Sequence, residues 1–122
     1  MADAKMKILI VDDDESLRKS MAITLQVKGY EILEAEDGMM GLEVTQERRP
    51  HLVITDVYMP GMNGFMLAES ILSDPALKDT KIIMMTSAAQ AAGAWRSEQD
   101  VVYLDKGFSL PALVELVTKV LG

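Results

Sequence analysis

Residues 8–15 have the sequence ILIVDDDE, in which four apolar side chains are followed at once by four carboxylates. The apolar run shows no polar face, which is typical of a strand in a parallel sheet that is covered on both sides. Such a strand normally ends at a turn residue, whereas this one ends in a block of negative charge. We interpret Asp14 and Glu15 as the start of a helix, whose positive end favours acids. Asp12 and Asp13 are left as a pair with a separate role.

Four more apolar runs, most of them rich in valine and isoleucine, alternate with amphipathic segments along the chain. The runs are Leu52–Ile54, Ile82–Met85, Val101–Leu104 and a weaker one at Glu31–Ala35. Helices are predicted from about Ser16 to Lys28, from the residue after Gly38 to before Pro50, from near Asn63–Gly64 to before Asp74, and from Ser109 onward. By position, a further helix is expected within residues 88–100, short, irregular or mobile. A β-α unit repeated five times predicts an α/β fold, a doubly wound five-stranded parallel sheet with helices on both faces.

Composition limits the functions open to the chain. Its 122 residues suffice for one domain, carry a formal net charge of −7 and include no cysteine. The negative charge argues against a general binder of nucleic-acid backbones, and the lack of cysteine excludes disulfides and thiolate metal sites. No apolar run is long enough to span a bilayer and no signal peptide is recognisable, so we expect a cytoplasmic protein. The sequence ends at Gly122, directly after the last predicted helix, and we expect no output domain.

Polar residues with complementary chemistry follow four of the predicted strands. Asp12 and Asp13 follow the first strand, Asp56 the third, Thr86 the fourth and Lys106 the fifth. The carboxyl ends of parallel strands share one edge of the sheet, where such folds bind ligands. Three carboxylates in one cleft repel each other, and Mg²⁺ relieves this repulsion while keeping room for a phosphate oxygen. An aspartate nucleophile, a hydroxyl and an ammonium group are together suited to forming an aspartyl phosphate.

These residues lie in motifs that resemble those of receiver domains of two-component response regulators, the CheY-like class. The motifs are ILIVDD at the first strand, LVITDVYMPGMNG around the third, MMTS at the fourth and LDKGFS after the fifth. They extend from about Lys7 to Leu121, and D-x-x-M-P-x-x-x-G, from Asp56 to Gly64, is the most specific. The resemblance implies a (βα)5 flavodoxin-like sheet with strand order 2-1-3-4-5, and a single receiver domain over residues 1–122. It also implies a phosphorylation switch rather than an enzyme, acted on by a sensor histidine kinase or a phosphotransfer protein.

The resemblance assigns a role to each residue of the acidic cluster. Asp56 would be the phosphoacceptor. Asp12 and Asp13 would be the acidic pair that binds Mg²⁺ together with Asp56, with Asp13 a direct ligand and Asp12 acting largely through water. The backbone carbonyl of Tyr58 would complete the protein's share of the metal ligands.

Three further residues would carry the switch. Thr86 would move towards the phosphoryl group, and Lys106 would pair with it. Tyr103 matches an aromatic position whose ring turns inward when the threonine moves. This would change the face formed by the fourth helix, the fifth strand and the fifth helix, where an unknown downstream protein would bind. We expect no direct contact with nucleic acid and no membrane insertion. The wide apolar stripe of the last helix would suit such docking or a dimer.

The sequence departs from the family pattern at two places. Gly107 follows Lys106 where the family usually has a proline in a cis peptide bond. Glycine allows more backbone conformations, so Lys106 is expected to lie farther from the phosphoryl group than in the family. The segment between Thr86 and Lys106 is also shorter than is usual, and this is expected to alter the face that signals.

Two other functions remain open from the residues alone. A receiver-like scaffold would bind partners without phosphate. Gly107 and the weak fourth helix favour this alternative, while the full set of acids and Thr86 oppose it. A phosphohydrolase of the haloacid dehalogenase type would use a D-x-D motif, but the second residue after Asp56 is Tyr58.

Overall fold

The β-sheet has five parallel strands in the computed structural model, which describes residues 5–86 and 101–122. The strands are β1 (Lys7–Val11), β2 (Glu31–Ala35), β3 (Leu52–Asp56), β4 (Lys81–Thr86) and β5 (Val101–Asp105). Their order across the sheet is β2-β1-β3-β4-β5, which confirms the predicted strand order. The order reverses between β1 and β3, and the carboxyl ends of these strands open at the crevice where doubly wound folds bind ligands.

Four α-helices lie within the described ranges. They are α1 (Glu15–Val27), α2 (Gly38–Arg48), α3 (Gly64–Leu72) and α4 (Leu110–Leu121), with a short 3-10 helix at Pro75–Leu77. Each α-helix begins after a side chain that accepts a hydrogen bond from a backbone amide of the first turn. These capping residues are Asp14, Asp37, Asn63 and Ser109. The helix expected within residues 88–100 lies outside the described residues. No helix of residues 5–86 and 101–122 is long and apolar enough to cross a membrane.

The helices cover both faces of the sheet and create two core layers. On one face, α2 and α3 pack against side chains of β1 and β3 such as Leu9 and Val53. On the other face, α1 and α4 pack against the alternate side chains, such as Ile8 and Ile54. Neighbouring residues of one strand therefore belong to different layers, because side chains alternate across a sheet. This explains why residues 8–11 of β1 and 52–54 of β3 are apolar without a break, and the arrangement confirms the doubly wound α/β fold.

The apolar stripe of α4 is used mainly inside the molecule. Leu113 and Val117 are fully buried, and the other leucine and valine side chains of α4 are partly buried against the same core layer. Packing onto the sheet therefore accounts for most of the width of the stripe, and the stripe does not by itself indicate a docking or dimer surface. Among the described residues, the large apolar side chains left exposed include Ile23 and Val27 on α1 and Met66 on α3.

Candidate functional site

Four strands bring the predicted site residues to one edge of the sheet. Asp12 follows β1 directly, and Lys106 follows β5. Asp56 and Thr86 are the last residues of β3 and β4, since both strands extend further than their apolar runs predicted. Asp56 is paired with Met85, so the pairing continues up to the end of each strand. Asp56 and Thr86 are therefore carried on regular backbone, which holds side chains more rigidly than a loop would, and Asp12 and Lys106 directly follow it.

Three carboxylates lie together at the centre of this edge of the sheet. Single oxygens of Asp12, Asp13 and Asp56 lie within 4.8 Å of one another. Asp12 is 0% exposed and Asp56 is 4% exposed, whereas Asp13 faces solvent. Three ionised carboxylates this close together repel one another unless a cation neutralises their charge. Two acids are thus fixed in the protein interior and the third is open to an incoming ligand.

The two oxygens of Asp12 have different surroundings. Oδ1 accepts a hydrogen bond of 2.9 Å from the backbone amide of Asp14. Oδ2 is buried and accepts no hydrogen bond from the part of the chain that the structure describes. Burial raises the pKa of Asp12 above its ordinary value of 3.8, against the opposing effects of the Asp14 amide and of Lys106. A buried carboxylate oxygen without a donor is suited to a cation or to a cation-bound water.

Lys106 is the cation that contacts this cluster. Its Nζ donates a hydrogen bond of 3.0 Å to Oδ2 of Asp56 and lies 3.7 Å from Oδ2 of Asp12. Burial alone would lower the pKa of Lys106, but the hydrogen bond to Asp56 and the nearby acidic charges outweigh it, so the pKa is raised above 10.5. The ammonium group is therefore held in its charged form beside Asp56.

The loop after β5 places Lys106 without a proline. The Lys106–Gly107 peptide bond is trans, and Nζ of Lys106 contacts Asp56 in this structure. The expected greater distance between Lys106 and a phosphoryl group stays a prediction. The backbone amide of Lys106 donates a 3.1 Å hydrogen bond to the carbonyl oxygen of Thr86. The amide of Gly107 donates a 2.9 Å hydrogen bond to Oδ1 of Asp105. Of the two features that favoured the scaffold alternative, Gly107 does not keep Lys106 from contacting Asp56, and the weak fourth helix lies outside the described residues.

Thr86 and Tyr103 project from the same face of the sheet. Tyr103 is paired with Met84, and Thr86 lies two residues farther along β4, which returns its side chain to the face of Met84. Thr86 is buried, while Tyr103 is half-buried and packs against the core layer under α3. The two side chains thus share one layer at the end of adjacent strands. The coupled movement implied by the family resemblance stays a prediction.

Tyr58 contributes its backbone to the site and not its ring. Its amide donates a weak hydrogen bond of 3.4 Å to Oδ1 of Asp56. Its side chain is 68% exposed. The peptide unit of Tyr58 therefore lies beside the Asp56 carboxylate, which is compatible with the predicted role of its carbonyl. That role stays a prediction.

Two contacts of the site were not predicted from the sequence. Nη1 of Arg18, on α1, donates a 2.7 Å hydrogen bond to the carbonyl oxygen of Asp12, and its Nε donates one of 2.9 Å to Oε1 of Glu34. Gly64, at the start of α3, packs directly on the backbone of Asp56, where a Cβ would overlap the carbonyl oxygen. The glycine of the D-x-x-M-P-x-x-x-G motif supplied a signal for the second contact, and no local pattern supplied one for the first.

A family model identifies the arrangement. The model described as the response regulator receiver domain matches residues 8–118. The chain belongs to this family. Receiver domains are phosphorylation-dependent signalling switches, generally without enzymatic activity, and act with histidine kinases or phosphotransfer proteins.

Known receiver domains cover this chain almost completely. The chemotaxis protein CheY4 of Vibrio cholerae superposes with a TM-score of 0.86 at 32% identity, over 96% of this chain and 99% of that one. The polar-differentiation response regulator DivK of Brucella anthropi is 26% identical over 117 residues, which cover 94% of this chain and 95% of DivK.

Longer proteins also contain a matching part. The phosphate regulon transcriptional regulatory protein PhoB of Pseudomonas aeruginosa is 39% identical over 83 residues. These cover 68% of this receiver domain and 36% of PhoB, so this chain matches only about a third of the length of that relative.

The residues at the sheet edge fit the divalent cation of the family. Receiver domains bind Mg²⁺ at an acidic pocket, and here the clustered oxygens of Asp12, Asp13 and Asp56 provide one. Hard cations such as Mg²⁺ take carboxylate oxygens, backbone carbonyls and water as ligands. The buried Oδ2 of Asp12, which accepts no hydrogen bond from the described residues, is an observation that fits a metal or its water shell.

Proposed function

We propose that this receiver domain accepts a phosphoryl group on Asp56 from a histidine kinase or a phosphotransfer protein. The observation that carries the proposal is the 3.0 Å contact between Nζ of Lys106 and Oδ2 of Asp56, inside a cluster of three acids. A carboxylate that is held beside a fixed cation can accept an anionic group with little rearrangement of charge. A phosphorylated histidine of such a partner protein and a small phosphodonor are chemically equivalent here, because each carries a phosphoryl group bound to a good leaving group.

In the proposed reaction an oxygen of Asp56 attacks phosphorus and the bond to the donor's nitrogen or oxygen breaks. The products are an acyl phosphate on Asp56 and the free donor. Bound Mg²⁺ supplies positive charge that neutralises the phosphoryl oxygens. The side chains of Asp13 and Asp56 and the carbonyl of Tyr58 would hold the metal, and Asp12 would act largely through water. Lys106 would transfer its hydrogen bond from Asp56 to the phosphoryl group.

The output of the switch would be a change in affinity for a protein partner. Thr86 would hydrogen-bond the phosphoryl group, and the ring of Tyr103, in the same layer of the sheet, would follow it inward. The partner face would include β5 and α4 together with the segment 88–100, which lies outside the described residues. We include in the proposal a cytoplasmic location, action as a single receiver domain and no direct contact with nucleic acid, which the net charge of −7 supports.

Mass spectrometry of the intact protein tests the proposal. The protein is incubated with Mg²⁺ and a small phosphodonor such as acetyl phosphate. We expect a labile gain of one phosphoryl group that needs Mg²⁺ and is lost in Asp56→Asn. Asp79→Asn is the matched control, because Asp79 lies before β4 at the opposite end of the sheet from Asp56, and it should gain the group at the normal rate. A gain that survives in Asp56→Asn would overturn the assignment of the phosphoacceptor.

A further inference from the structure

The side chain of Asp105 closes the turn that carries Lys106. Oδ1 of Asp105 accepts a 2.9 Å hydrogen bond from the amide of Gly107. The carbonyl oxygen of Asp105 accepts another, of 3.0 Å, from the amide of Phe108. The first contact is an Asx turn, in which an aspartate or asparagine oxygen fixes its own backbone two residues on. The two hydrogen bonds enclose Lys106 and Gly107 in one closed turn.

This turn restricts a segment that the sequence would otherwise leave loose. A glycine next to Lys106 adds backbone freedom, and a long lysine side chain amplifies a small backbone rotation into a large displacement of Nζ. The backbone amide of Lys106 is fixed to Thr86 on one side of the residue. The Asx turn fixes the other side. With both sides held, Nζ of Lys106 lies 3.0 Å from Oδ2 of Asp56.

We propose that Asp105 is a positioning residue, whose carboxylate oxygen holds the turn that directs Lys106 towards Asp56. Asp105 itself ends β5 and is exposed, so its role is to shape the backbone and not to contact the phosphoryl group. The hydrogen bond to Gly107 replaces the rigidity that a proline after the lysine would give. The inference rests on the proposed roles of Asp56 and Lys106.

Three substitutions of Asp105 separate the effect of its hydrogen bond in the turn from the effect of its negative charge. Asp105→Asn keeps an oxygen that can accept from Gly107 and removes the charge. Asp105→Glu keeps the charge on a side chain one methylene too long for the Asx geometry. Asp105→Ala removes both. If the turn positions Lys106, Asp105→Asn behaves like the wild type and Asp105→Glu behaves like Asp105→Ala. If only the charge matters, Asp105→Glu behaves like the wild type.

The first measurement is the rate at which acetyl phosphate phosphorylates the Mg²⁺-loaded protein, followed by intact mass. We expect Asp105→Ala and Asp105→Glu to react roughly tenfold more slowly, less than the 10²–10³ loss that follows outright removal of a stabilising donor. Asp105→Asn should stay within about twofold of the wild type. The melting temperature of each variant is recorded beside the rate, since a rate loss that simply follows instability would overturn the proposal. Equal rates for all four proteins would overturn it as well.

A second measurement does not depend on phosphorylation. A small amine-acylating reagent modifies Nζ of each lysine, and peptide mass spectrometry compares Lys106 with the more exposed Lys19 as an internal reference. Lys106 held against Asp56 should react slowly in the wild type and in Asp105→Asn, and several-fold faster in Asp105→Ala and Asp105→Glu. If the protein gains no phosphoryl group but this labelling pattern appears, the proposed function fails while the positioning role of Asp105 stands. Uniform labelling of Lys106 across the set would overturn the positioning role.

Discussion

Nη1 of Arg18 donates a 2.7 Å hydrogen bond to the carbonyl oxygen of Asp12, the residue that directly follows β1 and begins the acidic cluster. Arg18 is only 8% exposed, although it carries a full charge. Its Nε is paired with Glu34, so the buried guanidinium is satisfied by one carboxylate and one carbonyl. Arg18 therefore ties α1 to the turn that holds Asp12.

Arg18→Met should lower the free energy of unfolding by about 1–3 kcal/mol. The substitution removes the donor from the buried carbonyl oxygen of Asp12 and from Oε1 of Glu34, while Oε2 of Glu34 keeps its 3.1 Å contact with Lys19. An unpaired buried carbonyl oxygen is costly. Arg48→Met is the matched control, because Arg48 pairs with Glu31 at 3.1 Å on the surface. Exposed pairs contribute under about 1 kcal/mol. Urea denaturation measures the free energy of unfolding of both variants. Equal decreases in the two variants would show that burial does not distinguish the two arginines.

Asp12→Asn should stabilise the metal-free protein at neutral pH. Burial raises the pKa of Asp12, so folding disfavours the ionised carboxylate. The ionised Asp12 therefore lowers the free energy of unfolding at neutral pH. This destabilisation becomes smaller as the pH falls through the raised pKa of Asp12. Melting temperatures in chelator should show the variant above the wild type at pH 7, with a smaller difference near pH 4. A variant that melts below the wild type at pH 7 would mean that the pairing with Lys106 outweighs the cost of burial.

Lys106→Met should destabilise the metal-free protein by about 1 kcal/mol, the typical size for a charge-assisted hydrogen bond that is partly exposed. The pKa of Lys106 is raised by the acids around it. The stabilisation by charged Lys106 is therefore complete below pH 10.5, and it is lost as the pH rises through the raised pKa of Lys106. The melting temperature should fall by a few degrees at pH 7. Saturating Mg²⁺ should reduce the difference, because the metal neutralises the same carboxylates, and a difference independent of both Mg²⁺ and alkaline pH would contradict this explanation.

Gly64→Ala should destabilise the fold by about 1–3 kcal/mol or more. A Cβ at this position would overlap the carbonyl oxygen of Asp56 and lie 2.9 Å from Cα of Val57, and backbone atoms cannot rotate away. Gly107→Ala is the control, since its Cβ would meet only Oδ1 of Asp105 at 3.4 Å, an ordinary contact. We expect that variant to be unchanged or slightly more stable. Urea denaturation of the two variants decides the point, and an unaffected Gly64→Ala protein would show that α3 can move away from β3.

The fold was largely predictable because its signals are local. Strands such as β3 contain continuous apolar runs, here Leu52–Ile54, and helix starts such as Asp14 and Asn63 are marked by capping residues. Asp14 accepts from the amide of Leu17, as its place before α1 predicted. The strand limits were less predictable, since backbone pairing extends β3 and β4 over polar residues at their ends.

The site was predictable where side-chain chemistry alone marks a residue. The contact of Arg18 with Asp12 was not predictable. An arginine occupies the same kind of position in the sequence of an amphipathic helix whether its side chain reaches solvent or a buried carbonyl oxygen. The closed turn around Lys106 was not predicted, since Gly107 was considered without Asp105, two residues before it. An aspartate two residues before a glycine is a recognised turn signal and would have indicated the closed loop.

The contact of Lys106 with Asp56 and Asp12 gives the protein an internal counter-ion. Lys106 thus offsets part of the negative charge of these acids from within the chain, whereas small metal-dependent domains rely on their ion for folding. We therefore expect a chelator to stop the proposed phosphorylation of Asp56 while leaving the domain folded. Addition of Mg²⁺ alone should then restore the reaction without a refolding step.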